Sequence, residues 1–398
     1  MDLFAPGVYE SEHFYEILKI LFTEEEARLC SQLPLNLCTA EKISKIWDKS
    51  LKETLSILNT LASKGLVLED TEAAPPKYTP SIPVLGFFEF SLMRTDGKFD
   101  RKILSELYHK YMNLDDGFTK KYSNVSPPLT RVFAHEDMFQ DLSSEILPYE
   151  KVSHVIDTAT CITVGTCFCR HKMEHLGLAC DNPQDVCLTF NSVAKYVAKH
   201  GIAREISKVE AHQILDLCIK KGLVQIGDNT KSQMLVICNC CGCCCDLLLG
   251  YKKFKKSGLV CPSNFIAFIE HEICQVCGNC LKKCPVNAIR KTKNTYVVDK
   301  DVCLGCGVCA RFCPSKACKM KNRPKKHLTP NDFVERTALW ALYQGKIGNF
   351  LFDNQASLTH KLLRNLLNSI IRLPLIRSLM RNQKFSSMLI NAILRSKY

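Results

Sequence analysis

The sequence predicts an α+β, multidomain chain. Three observations carry that prediction. Helical segments run into short β-rich stretches, a cysteine–proline repeat occurs twice, and a basic C-terminal stretch places paired apolar residues at helical spacing. With 398 residues, 46% of them apolar, the chain is long enough for two or more domains and a sizeable core.

Residues 1–75 read as a winged-helix-like region. In FTEEEARLC, Thr23 and Glu26 form a capping box, and Ser50 and Glu53 form another. Leu51, Leu55, Leu58 and Leu61 follow at helical spacing, Gly65 fits a C-cap, and LVLED reads as a strand. Residues 23–70 hold 6 basic and 8 acidic residues, which argues against nucleic acid as a partner and for a docking or structural role. Thr71 to Pro83 is a proline-rich linker. Residues 76–230 read as mixed and mainly helical, with aromatics gathered between Gly86 and Met112. A further capping box, Ser207 and Glu210, opens a helix whose apolar face holds Ile214, Leu215 and Cys218. Cys218, and likewise the isolated Cys30 and Cys38, reads as a small buried hydrophobe. Residues 231–265 form a cysteine-dense segment, 266–318 a compact repeat module, and 319–398 a basic helical tail.

The chain has 24 cysteines. Its first residues, MDLFAPGVYESEHFYEI, show neither a basic n-region nor an apolar h-region, so a cytoplasmic setting with reduced thiols is expected. Clustered cysteines then read as metal ligands. Neighbouring cysteines such as Cys243, Cys244 and Cys245 also pair poorly as disulfides, because the bond needs a specific Cα separation and torsion. No run of about 18 apolar residues is present, so no membrane-spanning helix is expected.

CQVCGNCLKKCP carries Cys274, Cys277, Cys280 and Cys284; CLGCGVCARFCP carries Cys303, Cys306, Cys309 and Cys313. Both follow the C-x2-C-x2-C-x3-C-P pattern of bacterial-type ferredoxins. Three thiolates two residues apart wrap one side of a cubane, and the fourth points to the other cluster. Cys274, Cys277, Cys280 and Cys313 are therefore expected to hold one [4Fe–4S] cluster, and Cys303, Cys306, Cys309 and Cys284 the second. Zinc needs only four ligands and fits eight at this periodicity poorly. Gly278, Gly305 and Gly307 let the backbone turn around sulfur. Aligned repeats set Cys318 opposite Ile289, a packing position.

Upstream, Cys167, Cys169, Cys180 and Cys187 make C-x-C-x10-C-x6-C, enough for one cubane or one zinc ion; reactive or structural thiols are the alternative. Arg170, His171, Lys172 and His175 would lower thiol pKa values and offset cluster charge. Cys161 is a spare. VICNCCGCCCDLLLG adds Cys238, Cys240, Cys241, Cys243, Cys244 and Cys245, with Cys261 nearby. Adjacent side chains diverge, so six thiols cannot face one small cluster. Some point into the core, or the stretch reaches two metal centres, or it shares an unusual cluster with the Cys167 group; redox-active thiols are the remaining reading.

On these motifs the chain resembles a prokaryotic 4Fe-4S dicluster ferredoxin-domain family found mainly in anaerobes. Its members share a winged-helix-like N-terminus, a C-x-CR motif with two further cysteines, a CNCCGCC stretch and a dicluster ferredoxin. The resemblance spans roughly residues 15 to 320 and implies electron transfer with no particular substrate. The CCG at Cys240 to Gly242 also looks like a fragment of a heterodisulfide reductase motif, whose other cysteines are not in place here.

The net charge of +13 sits in the tail: residues 319–398 hold 15 basic and 3 acidic residues, +12, which leaves +1 for the rest. Leu362-Leu363, Leu366-Leu367 and Ile370-Ile371, with Lys361, Arg364, Arg372, Arg377 and Arg381 among or beyond them, suggest a basic amphipathic helix bent at Pro374. Either an anionic membrane surface, on the inner face, or a partner subunit would cover it. The expected function is iron–sulfur electron transfer between redox partner proteins, with one or two clusters beyond the ferredoxin pair. Two alternatives are an iron–sulfur oxidoreductase reducing a small molecule or disulfide at the upstream cysteines, and a redox-sensing winged-helix regulator. No nucleotide or flavin fingerprint is visible.

Overall fold

The computed structural model describes residues 7–139, 146–255, 258–352, 354, 357–380 and 382–397. Its N-terminal unit runs α1 (Glu12–Leu21), α2 (Glu24–Gln32), β1 (Cys38–Thr39), α3 (Ala40–Trp47), α4 (Leu51–Ser63), β2 (Val67–Asp70) and β3 (Lys77–Pro80). The three strands form an antiparallel sheet with β3 in the middle. Local chemistry starts the helices. The Thr23 hydroxyl accepts the Glu26 amide at 3.2 Å and the Glu26 carboxylate accepts the Thr23 amide at 2.9 Å. Ser50 accepts the Glu53 amide in the same way. Leu58 and Leu61 of the expected stripe are buried, whereas Leu51 and Leu55 are exposed.

The next helices, α5 (Phe88–Met93), α6 (Arg101–His109) and α7 (Asp116–Tyr122), gather the aromatic residues. The Phe88 ring meets those of Tyr108 and Tyr111 edge-on at 5.0 and 5.9 Å. There follow β4 (Thr130–Phe133), α8 (Val152–Thr158), β5 (Ile162–Thr166), α9 (Phe168–His175), β6 (Asp185–Phe190) and α10 (Asn191–Lys199). Then come β7 (Arg204–Glu205), α11 (Lys208–Lys221), β8 (Val224–Asp228), β9 (Val236–Cys240), α12 (Asp246–Phe254) and β10 (Val260–Cys261). The strands join in one seven-stranded sheet, β10-β4-β8-β9-β6-β5-β7, in which only β10 and β4 run parallel.

The sheet adds to the expected mixed, mainly helical middle region, in which helical residues still outnumber strand residues; its strands were not individually foreseen. Strand β8 is buried at every position and β5 at all but its last, so neither alternates apolar with polar residues in the way that marks a half-exposed strand. The expected boundary between residues 230 and 231 also falls inside the sheet: β8 pairs directly with β9, Gly227 opposite Ile237.

Beyond the sheet lie β11 (Phe265–Ile269), α13 (Asn279–Lys283), β12 (Ile289–Lys291), β13 (Tyr296–Val298), α14 (Val308–Arg311) and β14 (Cys318–Asn322). Strand β14 pairs antiparallel with β11, and β12 with β13. The expected boundary at 318/319 therefore cuts β14. One buried core runs from Phe14 and Trp47 through Tyr108 and Val224 to Cys280 and Cys309.

The C-terminal helices are α15 (Phe333–Tyr343), α16 (Ile347–Leu351), α17 (Leu358–Ile371), α18 (Pro374–Met380) and α19 (Gln383–Lys397). Helix α15 is seated on the central sheet. The buried Arg336 donates to the Leu129 carbonyl at 2.8 Å and to Asp228 Oδ1 at 3.1 Å. The chain does break before Pro374, which opens α18 where its missing amide costs nothing. Yet α17 is not polar outside and apolar inside. Leu358, Leu362 and Leu366 face solvent, while Arg364 is buried. Arg381 lies outside the described residues. Among the described residues no helix is long and apolar enough to cross a membrane.

Candidate metal centres

The repeat module brings its cysteines together. Cys280, on α13, lies near Cys309, Cys313 and Cys274, and Cys284, just past that helix, lies near Cys309 and Cys303. Cys284, Cys303, Cys306 and Cys309 line one pocket. Backbone amides aim at sulfur: Ala288 N–H lies 3.2 Å from Cys284 Sγ, and Cys318 N–H 3.3 Å from Cys313 Sγ. Burial pushes the Cys280 and Cys284 thiols up to about 11, so a bound cation is what would keep both as thiolates. Gly278, Gly305 and Gly307 all take positive φ. At Gly305 a side chain would also strike the Phe265 carbonyl. A pocket lined by four cysteines, with amides donating to sulfur, fits a cubane.

Residues 273–317 match the sequence model of a 4Fe-4S dicluster domain. The chain carries a 4Fe-4S dicluster domain. Comparisons with curated proteins and with solved structures return no match. With its many cysteines, this domain marks an iron–sulfur protein. Cys318, expected in the core, is buried behind Cys309.

The ten upstream thiols do not divide as their spacing suggested. Strand β9 sets Cys238 and Cys240 on one face, and its register with β6 places Cys187 opposite Cys238. Cys167 caps α9, Cys169 lies in the first turn of that helix, and Cys245 caps α12. These six gather between the sheet and the two helix N-termini, whose partial positive charge suits thiolates. Cys245 lies 3.3 Å from Cys240 and also faces Cys169. Cys167 faces Cys238 and Cys245. Hydrogen bonds from Cys187 and Cys240 hold Cys238 well below the usual thiol range, and those from Cys169 and Cys240 bring Cys245 down to about 5.

Cys180 parts from the set it was expected to join. It meets Cys241, Cys243 and Cys244, on the opposite side of the β9–α12 turn. Cys161 and Cys261 join neither group; Cys261 lies on β10 beside Arg131. His171 and His175 turn to each other, Nε2 to Nε2 at 3.2 Å, rather than to sulfur.

Arg170 stands between the two groups. Its Nη1 donates to the Asn239 carbonyl at 3.1 Å and reaches Cys241 Sγ at 3.7 Å, with Cys167 and Cys240 nearby. Its Nε and Nη2 are buried with no hydrogen-bond partner among the described residues. Orphaned buried donors among thiols fit an anionic iron–sulfur core close by. Spacing did not point to the next shell: Lys172 and Asp246 form a buried ion pair at 2.5 Å, Asn113 bonds both, and Asp246 Oδ2 lies 3.6 Å from Cys169 Sγ. The signal for Asp246 was its place directly after Cys245, at the start of a helix.

The turn also touches the dicluster domain. Gly242 packs so closely on the carbonyl of Pro285, the residue after Cys284, that any side chain there would collide. Gly242→Ala is expected to destabilise the protein by roughly 1–3 kcal/mol, as overpacking does. The check is the urea midpoint of the metal-loaded chain; an unchanged midpoint would show that the turn is free to move away.

Proposed function

We propose that this chain is an electron carrier in which the dicluster domain exchanges electrons with a third iron–sulfur centre at Cys167, Cys169, Cys187, Cys238, Cys240 and Cys245. In the dicluster domain Cys274, Cys277, Cys280 and Cys313 take one cluster, and Cys284, Cys303, Cys306 and Cys309 the other. The contact between Gly242 and Pro285 carries this reading, because it joins the upstream cysteine turn to the backbone beside Cys284. When bound, the clusters supply the redox chemistry. The chain's own residues hold the sulfurs, exclude water and place Arg170 to offset negative charge.

The test is iron and acid-labile sulfide on anaerobically purified full-length protein. Two cubanes account for about 8 iron atoms. More than that is expected, with the excess lost in Cys238→Ser and Cys245→Ser. In partly reduced wild-type protein, electron paramagnetic resonance should show the third centre coupled to a dicluster signal. About 8 iron atoms, unchanged in both variants, would reject the third centre.

The order of helices and strands in residues 12–80, closed by a three-stranded sheet, supports a winged-helix-like unit. Its acidic balance favours protein docking over nucleic acid. The outward leucines of α17 support an external surface for the C-terminal helices. Flotation with vesicles of anionic lipid tests whether that surface is a membrane; protein left at the bottom of the gradient rejects it.

A further inference from the structure

We propose that Cys180, Cys241, Cys243 and Cys244 hold a single zinc ion, a centre different in kind from the iron–sulfur clusters. The sulfur geometry carries this inference. All four Sγ atoms lie within 4.8 Å of one another. Cys180 is 3.7 Å from Cys241 and 3.6 Å from Cys244, and Cys243 is 3.7 Å from Cys244. Four thiolates at about 2.3 Å from one zinc ion occupy the corners of a tetrahedron with edges of about 3.8 Å. A cubane makes a different demand. Each thiolate binds a separate iron at an outer corner, so the sulfurs stand apart around a hollow. The dicluster domain differs in the same chain: Cys284, Cys303, Cys306 and Cys309 line one pocket but are not drawn together to single-ion distance. Among the described residues, the Cys180 group is the one set of three or more such side chains drawn to single-ion distance.

The surrounding groups answer the charge. One divalent ion with four thiolates carries a net charge of minus two. Arg170 Nη1 approaches Cys241 Sγ at 3.7 Å, and Asn182 Nδ2 approaches Cys180 Sγ at 3.3 Å. Donors of this kind orient ligands and stabilise their charge. Four protein ligands leave no open position, which is the mark of a structural zinc site rather than a catalytic one.

Its position gives such an ion a task. Cys180 comes from the loop after α9, and the other three from the turn between β9 and α12. An ion there would tie the loop to the turn that presents Gly242 to Pro285. Cys240 and Cys245, at the two ends of that turn, face the other way, into the six-thiol group. The ion would thus act as a clamp that seats the dicluster domain against the central sheet. It takes no part in electron transfer, so the inference stands apart from the proposed third cluster.

The experiment is zinc and iron analysis of the full-length chain, purified anaerobically and dialysed against a weak chelator, with X-ray absorption at the zinc edge. The expected result is one zinc per chain with four sulfur neighbours at about 2.3 Å. Cys180→Ser and Cys243→Ser should each lower zinc at least several-fold and leave iron unchanged. Trace zinc in the wild-type chain, or zinc with nitrogen or oxygen neighbours, would overturn the inference. So would a variant that loses about four iron atoms, the mark of a cubane, or a single one. Should a variant fail to fold, the absorption spectrum of the wild-type chain decides.

Discussion

Cys284→Ser is expected to lose about four iron atoms per chain, one whole cubane. The cluster it loses should be the one shared with the second repeat. The reason lies in where α13 stops. Cys280 lies on that helix, and Cys284 just past it, where Pro285 prevents another turn. The chain then turns back, and Cys284 lines one pocket with Cys303, Cys306 and Cys309 of the second repeat. Paired variants test this without relying on absolute iron content. Cys284→Ser combined with Cys306→Ser should lose no more iron than either change alone, because both strike one cluster. Cys284→Ser combined with Cys274→Ser should lose about eight iron atoms, because they strike two. The opposite pattern would mean that each repeat binds its own cluster. Serine is suitable here because it nearly matches the size of cysteine but is a poorer ligand for iron, so the packing around Ala288 is kept.

The dicluster domain was legible because its chemistry is periodic. A cluster fixes ligand spacing locally, and the same pattern occurs twice. The capping boxes at Thr23 and Ser50 were legible for a similar reason, since each is complete within four residues. The central sheet was not. Strands buried on both faces lose the alternation that distinguishes them from helix, and β8 is one of these.

The division of the ten upstream thiols was hidden for a longer-range reason. Cys187 and Cys238 meet because β6 and β9 are neighbours, a fact of topology. Cys180 crosses to the other group because the loop after α9 reaches the far side of the turn. One part was readable in advance. Had VICNC been recognised as a strand, Cys238 and Cys240 would have shared a face and Cys241 would have started the other group. Arg170 was noted for its charge, but its place between two thiol groups depended on the same fold.

Arg336→Ala is expected to destabilise the chain by about 3–5 kcal/mol, the cost of breaking a buried ion pair from one side. The side chain is 1% exposed. Its guanidinium bonds Asp228 and the Leu129 carbonyl, and lies over the rings of Phe333 and Trp340 at 5.1 and 5.2 Å. Removing it leaves the Asp228 carboxylate buried without its cation. Asp228 cannot swing out to water, because its Oδ2 accepts the amides of Leu235 and Val236 at 2.9 and 3.1 Å. Those amides begin the strand that carries Cys238 and Cys240. The damage should therefore travel in two directions: α15 loosens from the sheet, and the entry to β9 loses its anchor. Urea unfolding should show a lower midpoint at similar slope. Iron release from the variant should begin in the fraction that Cys238→Ser also loses, with dicluster iron leaving later. Arg336→Lys keeps the charge but not the planar fork, so it should fall between the two proteins. A midpoint unchanged in Arg336→Ala would mean that α15 rests on its apolar contacts alone, and that Asp228 tolerates burial through its two amide bonds.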